Sequence, residues 1–309
     1  MFASLRALLT GILDYAGLFP PARLTLDHAI RNYARYRQEL EGWMLGRFIL
    51  PAARLEELEP YQDELFQTGP PFAFSVLGRG GETFADFIAN LRTDLRDIAA
   101  FRKRHGDRVT VDVMELRLPA ELSDPLLPDS TETLYKTMRV FPAVDLLVFC
   151  ESPGRSDGLL TQLAMLPFDY VGFKLRCGGL EAAAFPSSQQ IADALRGSLD
   201  AGVRFKATAG LHHPLPRFDP TVNARMHGFL NVFLAGVLAH VHDLSAEQIG
   251  RILDDEQARH FAFDNRQASW RTLRASTAEI AAARRDFVVS FGSCSFDEPR
   301  ADLRALGWL

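Results

Sequence analysis

The sequence predicts a closed (β/α)8 barrel, a TIM barrel, and three observations lead there. Eight short runs rich in Val, Ile and Phe recur along the chain, each followed by a helical pattern, as β/α units around a parallel sheet require. Two of these runs, VGFKLRCGG (171–179) and VRFKATAGL (203–211), share the pattern V-x-F-K-x-x-x-G, with lysines 32 residues apart, the spacing of one β/α unit. The length, 309 residues, exceeds an ordinary single domain but suits a barrel, which runs roughly 200 to 400 residues as one unit. Residues 1–309 are therefore expected to form a single domain.

The predicted strands are ILDYAGLF (12–19), GRFILPA (46–52), FAFSVLGRG (72–80), VTVDVMELRLP (109–119), DLLVFCESP (145–153), YVGFKLRCGG (170–179), VRFKATAGLHHP (203–214) and VVSFGSCSFDEP (288–299). Between them, Thr83 to His105 reads as one long helix stopped by Gly106. Capping boxes are expected at Ser187 with Gln190, Ser245 with Gln248 and Ser276 with Glu279, where a hydroxyl and an amide or carboxylate three residues apart satisfy free amide groups. Asp297 is expected to cap a last helix that has Pro299 in its first turn. The glycine-rich GRGGETF (78–84) reads as a tight strand-to-helix turn whose amides could also approach an anion.

One connection is abnormally long. Residues 213–286, between the seventh and eighth predicted strands, hold an apolar helix over 229–241, the Ser245 helix, an irregular FAFDNRQASW stretch and the Ser276 helix. Connections of that length carry extra structure or function, and this one is expected to be an extended helical insertion that serves as a lid or a homo-oligomer contact.

Composition excludes several classes. The hydrophobic fraction of 47% leaves ample core material, and a net charge of −5, with arginines interleaved among acids, gives no footprint for nucleic acid. The apolar stretch 229–241 is too short for the ~20 residues of a membrane-spanning helix and is interrupted by Asn231 and His240, so no membrane partner is expected. The start lacks a small-residue cleavage pattern and reads as mature sequence. Three cysteines without a C-x-x-C pair argue for a reducing compartment, the cytoplasm.

The chemistry is expected at the carboxyl ends of the strands, which face one pocket in a barrel. Thirty of the 34 basic residues are arginine and four are lysine, so arginine is the default cation. Lysine at the same place in two successive strands points to a need for an amine, which attacks a carbonyl once deprotonated, as a guanidinium does not. Alternation puts Lys174 on one face with Arg176, and Lys206 with Thr208. Two neighbouring ammonium groups in a desolvated pocket would disfavour each other's charge, leaving one lysine neutral near pH 7 and ready to form a Schiff base. Arg176 is the natural clamp for a carboxylate or phosphate.

Lysines near the ends of the sixth and seventh strands, the latter in an F-K-x-x-x-G context, resemble class I (Schiff-base) aldolases of the deoxyribose-phosphate aldolase type. The resemblance is limited to those two segments. It implies Lys174 as imine former, Lys206 as the amine that perturbs it and Asp112 as the proton-shuttling carboxylate on an earlier strand. Strand six departs from that family's Lys-Thr-Ser-Thr-Gly run with Leu175, Arg176 and Cys177, and strand seven continues as His212-His213-Pro214.

The remaining polar residues complete the expected site. His212 and His213 are candidate acid/base groups, and Thr208, His227, Glu151, Ser293 and Cys294 are candidate substrate contacts beside Arg176. Glu115 and Arg117 alternate with Asp112 and Met114, so one set alone faces the interior. Asp14 could supply an acid or a cap, and Cys177 and Cys294 could be small fillers. The function expected is a carbon–carbon lyase or isomerase using a lysine imine on a small oxo or sugar-like, anionic substrate, without a cofactor. The alternative is a hydrolase or isomerase with a divalent metal held by His212, His213 and His227. A third reading is a barrel that binds a metabolite without turnover.

Overall fold

The computed structural model describes residues 1–67, 69–152 and 156–309; Pro153, the end of the fifth predicted strand, lies outside them. Each apolar run supplies a short strand: β1 (Leu13–Tyr15), β2 (Leu45–Pro51), β3 (Phe72–Leu77), β4 (Val109–Arg117), β5 (Leu147–Glu151), β6 (Val171–Arg176) and β7 (Arg204–Thr208). The connection after β7 adds five more, a hairpin of β8 (Arg217–Asp219) with β9 (Ala224–Met226) and an antiparallel sheet of β10 (Phe261–Phe263), β11 (Gln267–Trp270) and β12 (Leu273–Ser276). Strand β13 (Val288–Ser293) then enters between β7 and β1 and closes an eight-stranded parallel barrel. The (β/α)8 architecture is thus present.

The strands have two loaded faces. Phe48 points outward against Tyr33 at 5.5 Å between ring centroids, and Phe291 stacks on Phe229 at 5.2 Å, joining barrel to helix layer. The helix Phe229–His242 is buried from Phe229 through Ala239 because it packs against β13 and against the helices Ser188–Asp200, Ala246–Leu253 and Thr277–Asp286. Its all-round apolarity is met within the chain. No helix among the described residues is long and apolar enough to cross a membrane.

Local signals and structure agree where the signal is a cap. Thr83 accepts from the Asp86 amide at the start of the helix Phe84–His105, and Ser187, Ser245 and Ser276 each form complete capping boxes. Two expectations are corrected. Asp297 does not cap the last helix but is its first residue, bonded to Tyr36 and Arg300, and the Ser295 hydroxyl accepts from the Glu298 amide instead. FAFDNRQASW is a β10–β11 hairpin, turned where Asp264 accepts from the amides of Arg266 and Gln267, so the connection is not purely helical.

Two glycines in this connection test the packing in opposite directions. A Cβ at Gly236 would stand 2.4 Å from Cγ1 of Val288, a β-branched residue fixed in the barrel wall, whereas a Cβ at Gly250 meets nothing within 4 Å. Alanine gains about 1 kcal/mol of helix propensity at either place, and overpacking costs typically about 1–3 kcal/mol. Gly250→Ala should therefore raise the denaturant midpoint, Gly236→Ala should lower it, and Val288→Ala added to Gly236→Ala should recover part of the loss.

A candidate active site in the barrel interior

The repeated motif puts its two lysines side by side, since Lys174 pairs in register with Lys206 across β6 and β7. Both side chains point into the barrel and both are buried. Their amines meet on a carboxylate from β4: Lys174 Nζ lies 2.8 Å from Glu115 Oε2, and Lys206 Nζ lies 3.4 Å from Glu115 Oε1. Ser75 of β3 donates to Glu115 Oε1 at 2.6 Å.

The pairing continues in both directions. Lys206 binds Asp14 of β1 and reaches the Ser290 hydroxyl at 3.0 Å, and Ser290 in turn donates to Asp14 Oδ2 at 2.7 Å. Asp14 is fully buried, receives the Arg47 amide at 2.7 Å, and fits only because residue 46 is glycine: a Cβ there would stand 2.4 Å from Asp14 Oδ1. On the other side Lys174 lies 2.9 Å from Glu151 Oε2, and Arg176 binds Glu151 Oε1 at 3.0 Å. The result is a line of alternating charge, Asp14, Lys206, Glu115, Lys174, Glu151, Arg176, running from the deep interior to a half-exposed guanidinium.

This line corrects the expected electrostatics. The two ammonium groups do not simply face each other, because Glu115 stands between them. Burial, the strongest single influence on Lys174, favours its neutral form, yet Glu115 and Glu151 together outweigh it and hold the amine above the ordinary 10.5. Burial likewise pushes Glu115 up, and Lys174 with Lys206 overcomes it, holding the carboxyl at about 2. Glu151 is also held below its usual range, by Lys174 and Arg176 against burial.

Asp112 is not the carboxylate at the lysines. The register of β4 against β3 slips there, with Phe74 beside Val111 and Ser75 beside Val113, so Asp112 is an extra residue in a bulge. It pairs with Arg47 at 2.6 Å and is nearly half exposed. Glu115, three residues on, takes the interior position.

The histidines go elsewhere. His212 Nδ1 contacts Glu298 at 3.0 Å and His213 Nδ1 contacts Asp302 at 2.5 Å, both acids lying on the last helix, while His227 donates from Nε2 to the Pro186 carbonyl at 2.7 Å. They have separate partners, and among the described residues no three His, Cys, Asp or Glu side chains gather as a metal site. Thr208 pairs in register with Arg176, on the face of Lys206. Ser293 is turned into its own loop, donating to Ser295 O at 2.9 Å, so Ser290, three residues earlier, is what this strand gives the site. Cys177 and Cys294 are buried with thiols pushed up by burial, Cys177 to about 12, as fillers would be.

Above Lys174 opens a cleft of about 820 Å³, lined by Arg117, Glu151, Lys174 and Arg176 at the strand ends and by the segment Ala183–Pro186. The arrangement provides a buried amine, two carboxylates within hydrogen-bonding distance of it to exchange its proton, and guanidinium groups at the mouth.

No known protein family and no curated protein matches the chain in sequence. Among solved structures it is similar to a 1.8 Å crystal structure of the IolI protein with a binding zinc atom, at 10% identity and a TM-score of 0.45, over 78% of this chain and 95% of that one.

The Glu115 carboxyl sits far below the ordinary 4.5, so its ionised form stabilises the fold fully above about pH 4.5, and that support is lost as pH falls toward 2. Glu115→Gln should cost about 3–5 kcal/mol at neutral pH, because two buried ammonium groups lose a shared partner. The same variant should flatten the decline in unfolding free energy between pH 4.5 and 2, measured by denaturant titration at each pH.

Proposed function

We propose that the protein is a carbon–carbon lyase of aldolase type or an isomerase, acting through an imine between Lys174 and a small oxo or sugar-like substrate. The observation that carries this reading is the placement of Lys174: a buried amine at the floor of a cleft, between two carboxylates at 2.8 and 2.9 Å. Its resting form is an ammonium ion, so attack on a carbonyl requires a proton to leave first. Transfer to Glu151 or Glu115 converts two buried charges into two neutral groups; desolvation favours this exchange, and the ion-pair attraction that holds Lys174 above its ordinary value opposes it. The neutral amine then adds to the carbonyl carbon, the carbonyl oxygen takes up protons and departs as water, and the C=N bond forms.

The protonated imine withdraws electrons from the adjacent carbon, and the same two carboxylates stand ready to take a proton from that carbon or from a hydroxyl one carbon further on. The first event is an isomerisation, the second a carbon–carbon cleavage. Lys206, fixed by Asp14 and Ser290, keeps Glu115 ionised. The transferred pair carries the same number of protons as the resting ion pair, so the exchange is independent of pH, while the raised pKa of Lys174 and the lowered pKa values of its two carboxylates set its cost.

Borohydride should trap a carbonyl compound covalently on Lys174 in a panel of short aldehydes, ketoses and 2-oxo acids, read by peptide mass. Lys174→Arg should show no adduct and no turnover, and Glu115→Gln should lose about 10²- to 10⁴-fold in turnover, as removal of a general base does. The wild-type rate should be flat across pH 6 to 9. A rise centred near pH 7 would mean that the amine titrates there and would overturn the role given to the carboxylates.

A further inference from the structure

Glu151 holds two cations at once. Its Oε2 takes Lys174 at 2.9 Å, and its Oε1 takes both Nε and Nη2 of Arg176 at 3.0 Å. Arg176 is half exposed at the cleft mouth, and its Nη1 makes no hydrogen bond or ion pair among the described residues. Arg117, at the end of β4 in register with Glu151, is exposed at the same rim and has no ion pair among the described residues. The cleft's other acids, Asp157 and Asp193, belong to the helices Ser156–Leu163 and Ser188–Asp200, and Asp193 receives Gln189 at 2.8 Å. Among the described residues that line the cleft, the positive groups thus stand at the strand ends, next to the amine.

We infer that the substrate carries an anionic group, a phosphate or carboxylate, that docks between Arg117 and Arg176, and that its arrival frees Glu151 to accept the Lys174 proton. This rests on the imine reading above. The argument is geometric: Arg176 touches Glu151 and not Lys174, so its charge supports the carboxylate more than it opposes the ammonium. An anion on Arg176 cancels that support and adds a like charge beside Glu151, which shifts the Glu151–Lys174 pair toward its neutral form. Glu115, on the far side of Lys174, remains tied to Lys206 and Ser75 and does not respond. Amine and guanidinium are one carboxylate and two hydrogen bonds apart, on the order of 8 Å at most, so carbonyl and anion must be separated by only a few atoms. The nucleophile is then activated by the substrate that it attacks, and an unanchored aldehyde meets an ammonium ion.

The test uses the full chain, glycolaldehyde as a neutral carbonyl probe and borohydride, with ionic strength held constant by chloride. Inorganic phosphate or acetate should raise the rate of adduct formation on Lys174 about tenfold at neutral pH, the equivalent of one pKa unit, with the better of the two anions identifying the substrate class. Arg176→Gln should make trapping fast without either anion and insensitive to them. Arg117→Gln, on an exposed side chain that leaves the ion-pair line intact, should raise the phosphate concentration that gives half the effect. Trapping on Lys174 that ignores both anions in wild type and both variants overturns this inference and leaves the imine intact. No adduct on Lys174 with any carbonyl compound, even at alkaline pH where the amine is free, overturns the imine reading and this inference with it.

Discussion

The interaction on which the site depends is the sharing of Glu115 by two buried amines. Each ion taken from water into a protein interior costs several kcal/mol, and five of them here, Asp14, Lys206, Glu115, Lys174 and Glu151, occupy space that a barrel normally fills with branched apolar side chains. The arrangement is tolerable because every internal member of the line has an oppositely charged neighbour on each side, and because its outer end, Arg176, is solvated. Apolar residues of equal volume would fill the same space at no loss of stability. The barrel fold alone gives no reason for such a line, and the imine chemistry proposed above would use it, as a mobile proton beside a nucleophile.

Strand register turns this constraint into geometry. Neighbouring parallel strands lie about 4.8 Å apart, and the in-register pairing of Lys174 with Lys206 would set two ammonium groups at contact distance. Glu115 separates them by reaching across from β4, two strands away from β6. Beneath the lysines the barrel is apolar: the Phe149 ring lies 5.9 Å from Lys206 Nζ, in space that exists because residue 172 is glycine, where a Cβ would stand 2.7 Å from the ring. The charged layer therefore rests on an aromatic ring there and meets solvent at Arg176 and the cleft.

The lysines were legible in the sequence because their signal is local: the same motif in two consecutive strands fixes both register and inward face. Their partners were not. Alternation along VTVDVMELR divides Asp112 from Glu115 without choosing between them, and the choice is made by a bulge at Asp112 that depends on β3. Asp14 lies 192 residues from Lys206, and only closure of β13 against β1 brings the two together. The acids that contact His212 and His213 are 86 and 89 residues further on, in the last helix, so the sequence showed a pair of adjacent histidines without the carboxylates that the fold sets against them. The β10–β12 sheet escaped notice because strands of three or four residues are too short to show a period.

The use of lysine itself is informative within this one chain. Lys136 is an exposed helix residue paired with Glu132, an ordinary surface role. Where the fold needs a cation against a carboxylate away from the lysine line, it uses arginine: Arg47 with Asp112, Arg79 with Asp94, Arg300 with Glu41. Arginine serves such pairs better, since its planar fork binds a carboxylate through two hydrogen bonds and is less strongly hydrated. Lys174 and Lys206 depart from that preference at the two most deeply buried cationic positions of the charge line. What lysine offers there and arginine does not is a nitrogen that releases its proton and then bonds to carbon. The Arg47–Asp112 pair, in the same barrel, shows what the chain places where charge alone is required.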